Sequence, residues 1–325
     1  MPPSRTEVID NLFTTTWRNV KKKVIDQVFE ITPLFNRLLE NGRVKTSEAG
    51  GRYIDIPIRT AKADQNIKFF GKGDTFGTGE KEFLTQLSYE WRYLGDSLIR
   101  YWQDDQINRG PAKMLDYVME KIDNHKASLV DKLEGAAFTA DASGIGINSL
   151  ADLIATDPTT GTVGGLSRAT YSVLRNQTSD FSGKTIATDL IPEMRSMLNN
   201  LSIFKSGTQR MPDMIITTQA IYEELEDYLE GIQQIHTSKT IQASLGFGDI
   251  SYKNVPIYWC PQCPAGLMYF INTEHLKFNI DNFAYFDMGP WKEFSNSRDR
   301  VTQILTTCQM TCDNFQKQGV IFDIA

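Results

Sequence analysis

Three groups of residues carry types and spacings that could do chemistry. The segment TSDFSGKT at 178–185 approaches a phosphate-binding loop, in which backbone amides wrap a phosphate and a lysine neutralises it. Gly183, Lys184 and Thr185 fit that pattern, but Thr178 stands where the first glycine belongs. The preceding YSVLRNQ is a poor buried strand, so a turn and an ordinary helix cap are the simpler reading. Cys260 and Cys263, in CPQC, and Cys308 and Cys312, in CQMTC, offer two pairs of thiols that could surround a tetrahedral zinc ion. The second spacing is loose, and TTCQMTCDNF reads as a strand with both cysteines on one face. That pattern favours buried thiols acting as small apolar groups. His125, His236 and His275 are the only histidines, and none stands in a serine or cysteine nucleophile motif. Asp104 and Asp105 are adjacent, so on a strand they point to opposite faces and form no dyad. These patterns nominate no catalytic residue, no cofactor and no metal site.

A different feature stands out at 69–83, FFGKGDTFGTGEKEF, where four glycines fall within nine positions. No helix follows it, as a phosphate loop would require. It lies instead between two runs of period-two patterning: YIDIPI at 53–58, with Ile54, Ile56 and Ile58 on one face, and 83–93, where Phe83, Leu87, Tyr89, Trp91 and Tyr93 share one parity. The expected element is a projecting two-stranded antiparallel arm. Its candidate contact residues are Phe69, Phe70, Gly71, Lys72, Gly73, Asp74, Phe76, Gly77 and Gly79. Aromatic side chains on a bendable backbone can anchor on a partner.

The other elements supply a mixed α+β frame. Residues 4–40 read as mostly helical, with Arg18, Lys21, Lys22 and Lys23 as a basic patch beside an apolar stripe. Gly110 and Pro111 open a long helix whose stripe includes Leu115, Val118, Met119, Ile122, Leu129, Val130 and Leu133, ending at Gly135 or at DASG, 141–144. A turn-rich stretch to 183 leads to a helix near 185–201, a strand MIITT at 214–218 and an amphipathic helix QAIYEELEDYLEGI. Its carboxylates read as a solvated face. The last 70 residues are strand-rich. There is no regular strand–helix alternation of a doubly wound sheet and no fixed-period repeat.

With 325 residues, 41% hydrophobic and 23% charged, the chain can bury a sizeable core. A net charge of −6 argues against a dedicated nucleic-acid binder. The N-terminus lacks the charged and apolar regions of a signal peptide, and no apolar run is long enough to span a membrane. Four cysteines in this length do not make a secreted disulfide framework, so a reducing cytoplasm is the expected site of synthesis.

Three segments together resemble tailed-bacteriophage major capsid proteins: INSLADLIATDPTTGTVGGLSRATYSVLRNQ (147–177), PDMIITTQAIYEELE (212–226) and LGFGDISYKNVPIYWCPQCPAGLMYFINTEHLKF (245–278). The likeness, with the order of arm, hairpin, long helix, mixed domain and terminal strands, covers most of the chain. It implies the Hong Kong 97 (HK-97-like) capsid fold. By that resemblance, 1–47 is an N-terminal arm and 48–95 an extended loop. Residues 96–144 and 273–313 form a peripheral domain with a spine helix, and 145–272 and 314–325 an axial domain. It further implies a non-enzymatic shell subunit that forms hexamers and pentamers around a DNA genome, assembled in a host bacterial cytoplasm and carried in the virion. Scaffolding protein and portal are the expected assembly partners, with a decoration protein as an optional outer one and packaged DNA touched weakly and without sequence preference. The chain shows no long N-terminal scaffolding extension, which points to a separate scaffolding protein. An encapsulin-type compartment is the alternative use of the same fold; a nucleotide- or zinc-binding enzyme is the distant one.

Overall fold

The computed structural model describes residues 33–47, 51–61, 67–75, 79, 83–103, 111–141, 143–203, 211–233 and 250–324. Arg18, Lys21, Lys22, Lys23, Phe76, Gly77, Asp104, Asp105 and His236 lie outside them.

The first described element is α1 (Pro33–Glu40), whose Leu34, Phe35 and Leu38 are fully buried. It ends where Gly42 N–H donates to Leu39 O at 2.9 Å and Arg43 N–H to Leu38 O at 2.7 Å. This closure needs a left-handed residue, and Gly42, with φ of 63°, supplies it. The chain then enters β1 (Val44–Ser47), the ribbon strands β2 (Tyr53–Arg59) and β3 (Leu84–Glu90), β4 (Arg92–Arg100) and the long helix α2 (Pro111–Phe138). The expected spine helix is therefore present, with Gly135 inside it rather than at its end.

One six-stranded sheet is built on β15 (Arg300–Cys312). Strand β4 runs antiparallel along one edge of β15, from Arg100 opposite Arg300 to Arg92 opposite Cys308. Along the other edge lie β14 (Lys292–Glu293), β13 (Asp287–Met288) and β12 (Leu276–Asp281), with β1 parallel to β12 outside them. Ile122 and Leu129 of α2 pack on Leu98 and Ile304 of this sheet.

The chain reaches a second sheet through the short helix α3 (Leu150–Leu153) and the hairpin of β5 (Thr162–Val163) and β6 (Leu166–Ser167). Its strand order is β7 (Gln177–Asp180), β16 (Gly319–Phe322), β11 (Met268–Ile271), β8 (Met214–Thr217), β10 (Val255–Trp259) and β9 (Ser251–Tyr252). Both β8 and β11 are buried at every position, as their unbroken apolar runs require of strands covered on two faces. One face carries α4 (Ile186–Ile203) and α5 (Gln219–Gln233): Leu190, Met194, Leu198 and Leu225 meet Ile215, Phe270 and Ile321. The other face turns Ile216, Tyr269 and Val320 toward Leu133 and Phe138 of α2 and Phe35 of α1. A single apolar core thus joins both sheets, and Phe35 and Phe278 meet within it edge to face at 5.1 Å.

The strand pattern departs from the sequence expectation where β3 gives way to β4. Leu87, Tyr89 and Trp91 are buried as their parity predicts, but Tyr93 is 75% exposed. Trp91 stands alone between β3 and β4, so the inward parity switches there and β4 turns Leu94, Leu98 and Arg100 toward the interior instead.

Candidate functional site: the glycine-rich ribbon

Strands β2 and β3 pair from Tyr53 opposite Glu90 to Arg59 opposite Leu84, and Thr60 N–H donates to Phe83 O at 2.9 Å beyond the last pair. A bare two-stranded ribbon is marginal in water, and this one is docked at its base. Leu87 is fully buried, and Tyr89 Oη donates to the carbonyl of Cys312 at 2.8 Å. Ser88 N–H donates to Gly164 O at 3.0 Å, in the β5–β6 turn. Gly164 has φ of 54°, and a Cβ there would lie 2.8 Å from Leu87 Cδ2, so only glycine lets this hairpin approach the ribbon.

Toward the far end the described apolar side chains are exposed. Phe69 is 105% exposed, Phe70 62% and Ile67 79%. Gly71 and Asp74 form a small turn, in which Asp74 Oδ2 accepts from Gly71 N–H at 2.8 Å, with Lys72 and Gly73 at its apex; all four, and Gly79, are exposed. Ile67, Phe83 and Leu84 were not anticipated as contact residues, and Phe83, expected to point inward, is 43% exposed. For Leu84 the signal was legible. Adjacent apolar residues at 83 and 84 place one on each face of a ribbon, which a fully solvated arm would avoid.

The other described candidates make contacts within the fold. Thr178 pairs with Val320 inside β7, so the turn at 181–185 joins β7 to α4. Lys184 Nζ contacts Glu193 Oε1 and donates to Asp180 O at 3.0 Å; Glu193 also accepts from Ser179 at 2.7 Å. Asp189 Oδ2 accepts from Thr185 N–H at 3.0 Å. The lysine is already neutralised, and Asp180, Asp189 and Glu193 would repel a phosphate. The four cysteines are buried free thiols, and burial pushes each up to about 12. Among the described residues no three His, Cys, Asp or Glu side chains are grouped to hold a metal. His125 Nδ1 meets Asp96 Oδ2 at 2.5 Å, tying α2 to β4, and His275 Nδ1 meets Asp313 Oδ1 at 2.7 Å.

Several carboxylates are held below their usual range and give the fold a pH signature, Asp141 and Asp313 among them. Asp141, just beyond α2, accepts from the hydroxyl and N–H of Ser143 and from Gly146 N–H, which holds its carboxyl near 2. Burial would raise Asp313, but hydrogen bonds from His275 and Lys277 outweigh it and leave its pKa lowered. A folded-state pKa below the unfolded value of about 3.9 means stability is present above that pH and lost as pH falls through the folded pKa. Thermal midpoints are therefore expected to fall on acidification below about pH 4. Asp141→Asn, which cannot titrate, is expected to make that fall shallower; an unchanged slope would remove Asp141 from the account.

Compared by sequence, the chain matches no protein-family profile and no curated protein. Compared by structure, it is similar to the capsid asymmetric unit of cyanophage A-1(L), with TM-score 0.64 and 18% identity over 87% of this chain and 90% of that one. The capsid of Myoviridae phage XM1 aligns at TM-score 0.56 and 10% identity, over 88% and 91% of the two chains. The satellite phage P4 procapsid, solved with its size determination protein, aligns at 0.51 and 13%, over 94% and 90%. The architecture is that of phage capsid proteins. It is the α+β Hong Kong 97-like capsid fold that the sequence resemblance implied.

Proposed function

We propose that this chain is the major capsid protein of a tailed bacteriophage, a non-enzymatic subunit that self-assembles into the hexamers and pentamers of an icosahedral, DNA-containing shell. The observation that carries the reading is a fold shared with the cyanophage A-1(L) capsid over 87% of the chain, in a molecule whose ribbon ends in exposed Phe69 and Phe70. Head-to-tail contacts that close into rings build such a shell from one sequence. In this reading the ribbon end, Phe69 to Gly79 with Ile67, Phe83 and Leu84, buries on a neighbouring subunit. Residues 1–47 are the arm, 48–95 the extended loop, 96–144 with 273–313 the peripheral domain, and 145–272 with 314–325 the axial domain. In this reading the buried Leu34, Phe35 and Leu38 anchor the C-terminal part of the arm in the core. Scaffolding protein and portal are the further partners, with a decoration protein as an optional one and packaged DNA touched weakly and non-specifically. Sedimentation of the expressed chain with its scaffolding partner tests the reading: a fast-sedimenting particle fraction is expected, and subunits that remain small under all conditions would contradict it.

The same reading places Arg18, Lys21, Lys22 and Lys23 on the shell interior, against scaffolding protein or packaged DNA. Replacing all four by glutamine is expected to leave shells that retain less of that polyanionic or acidic content. The wild-type advantage should shrink with salt, because the electrostatic reach falls from about 10 Å at 0.1 M to about 3 Å at 1 M. Protease protection of this stretch in closed shells, compared with open ones, reads its side directly.

A further inference from the structure

We propose that Cys260 and Cys263 are a redox modification site, a dithiol that a small disulfide closes into a disulfide within one turn. The inference stands apart from the shell reading and rests on the turn itself. Residues 260–263 are closed by Cys263 N–H donating to Cys260 O at 3.1 Å. A β-turn of this kind holds its first and fourth Cα atoms within about 7 Å, and a disulfide needs about 4.4–6.8 Å. Pro261 occupies the second position, where its fixed φ suits the turn. The turn is pinned from both sides: Cys260 N–H donates to Thr217 O at 3.0 Å, and Gln262 Nε2 to Asp131 Oδ1 of α2 at 3.2 Å. Cys308 and Cys312 lie four residues apart on the extended β15, about 13 Å at ~3.3 Å per residue. They are beyond disulfide reach of each other, so the pairing has an internal control.

The chemistry balances with a low-molecular-weight disulfide as oxidant. Cys263, less buried than Cys260, loses its proton and attacks one sulfur of the oxidant, expelling one thiolate and leaving a mixed disulfide. Cys260 then loses its proton and its sulfur displaces the second thiolate. Two S–H bonds break, one protein S–S bond forms, and the oxidant becomes two thiols. Because burial holds both thiols near 12, closure is slow at neutral pH and faster in mild alkali. Closure also removes the Cys260 S–H that donates to Glu134 Oε1 at 3.1 Å, a link between the turn and α2.

The test is incubation of the folded, full-length chain with oxidised glutathione in mild alkali, then acid quenching, denaturation, alkylation with N-ethylmaleimide and peptide mass spectrometry. The expected product is a 260–263 peptide two hydrogens lighter and unalkylated, with Cys308 and Cys312 alkylated, restored by dithiothreitol. Cys263→Ser should abolish the mass loss, and hydrogen exchange around Glu134 should quicken in the oxidised wild type. Full alkylation of Cys260 and Cys263 under conditions that close the denatured chain would overturn the proposal, as would a stable glutathione adduct that never closes.

Discussion

Replacing residues 69–82 by a short turn is expected to leave a folded, soluble subunit that forms no stable shells. The reasoning depends on where the ribbon is anchored. Its base is fixed by the buried Leu87, by Tyr89 Oη on the Cys312 carbonyl at 2.8 Å, and by Ser88 N–H on Gly164 at 3.0 Å. The replacement touches none of these, and the Thr60–Phe83 hydrogen bond remains to close the shortened hairpin. What is removed is the exposed apolar end, with Phe69 and Phe70. Full burial of one such side chain stabilises a contact by about 1.5–3 kcal/mol, and a closed shell repeats that contact at every subunit. Circular dichroism and sedimentation of this one variant separate the outcomes. Unfolding or aggregation would mean the segment packs within its own domain; shells of normal stability would remove it from assembly.

Two phenylalanines are expected to give opposite phenotypes for the same chemical change. Phe278→Ala deletes a fully buried ring that meets Phe35 at 5.1 Å, in the core that joins both sheets to α1 and α2. Such a cavity costs about 3–5 kcal/mol, a large share of a typical total of about 5–15 kcal/mol. The variant should melt far lower or be recovered insoluble. Phe69→Ala changes an exposed side chain and should shift subunit stability by no more than about 0.5 kcal/mol, while weakening assembly. Thermal melts of unassembled subunits read the first effect, and particle yield reads the second. Equal melting temperatures for the two variants would break the distinction between core and contact residues.

Much of this arrangement was legible because it is local. Ile54, Ile56 and Ile58 alternate within one strand, the stripe through Ile122, Leu129 and Leu133 recurs within one helix, and the apolar runs of β8 and β11 announce burial on both faces. The parity switch at Trp91 was not legible, since one residue standing outside both ladders changes no composition or period. Nor were the long-range polar ties. Gln309, at the end of the β4–β15 ladder, donates to Glu90 O at 2.7 Å and accepts from Asn148 N–H at 2.8 Å. Gln318 exchanges two hydrogen bonds with the backbone of Asn272. Arg168 is buried, donating to the carbonyls of Asp152 and Leu153 at 2.7 and 2.9 Å. Each resembles an ordinary surface residue until distant segments fold around it. At the ribbon, the sequence pointed to Phe69 and Phe70 through the glycines between them and β3. It did not separate the inward Leu87 from the exposed Phe83, because both share one parity and only the length of the docked base divides them.

The most direct measurement of the central claim is negative-stain electron microscopy of the purified full-length protein, expressed with its neighbouring gene products. The account predicts closed, roughly icosahedral shells of uniform diameter, whose walls resolve into rings of six and five subunits. A chain that stays monomeric or forms only small open oligomers in every such preparation, while remaining folded by circular dichroism, would contradict it.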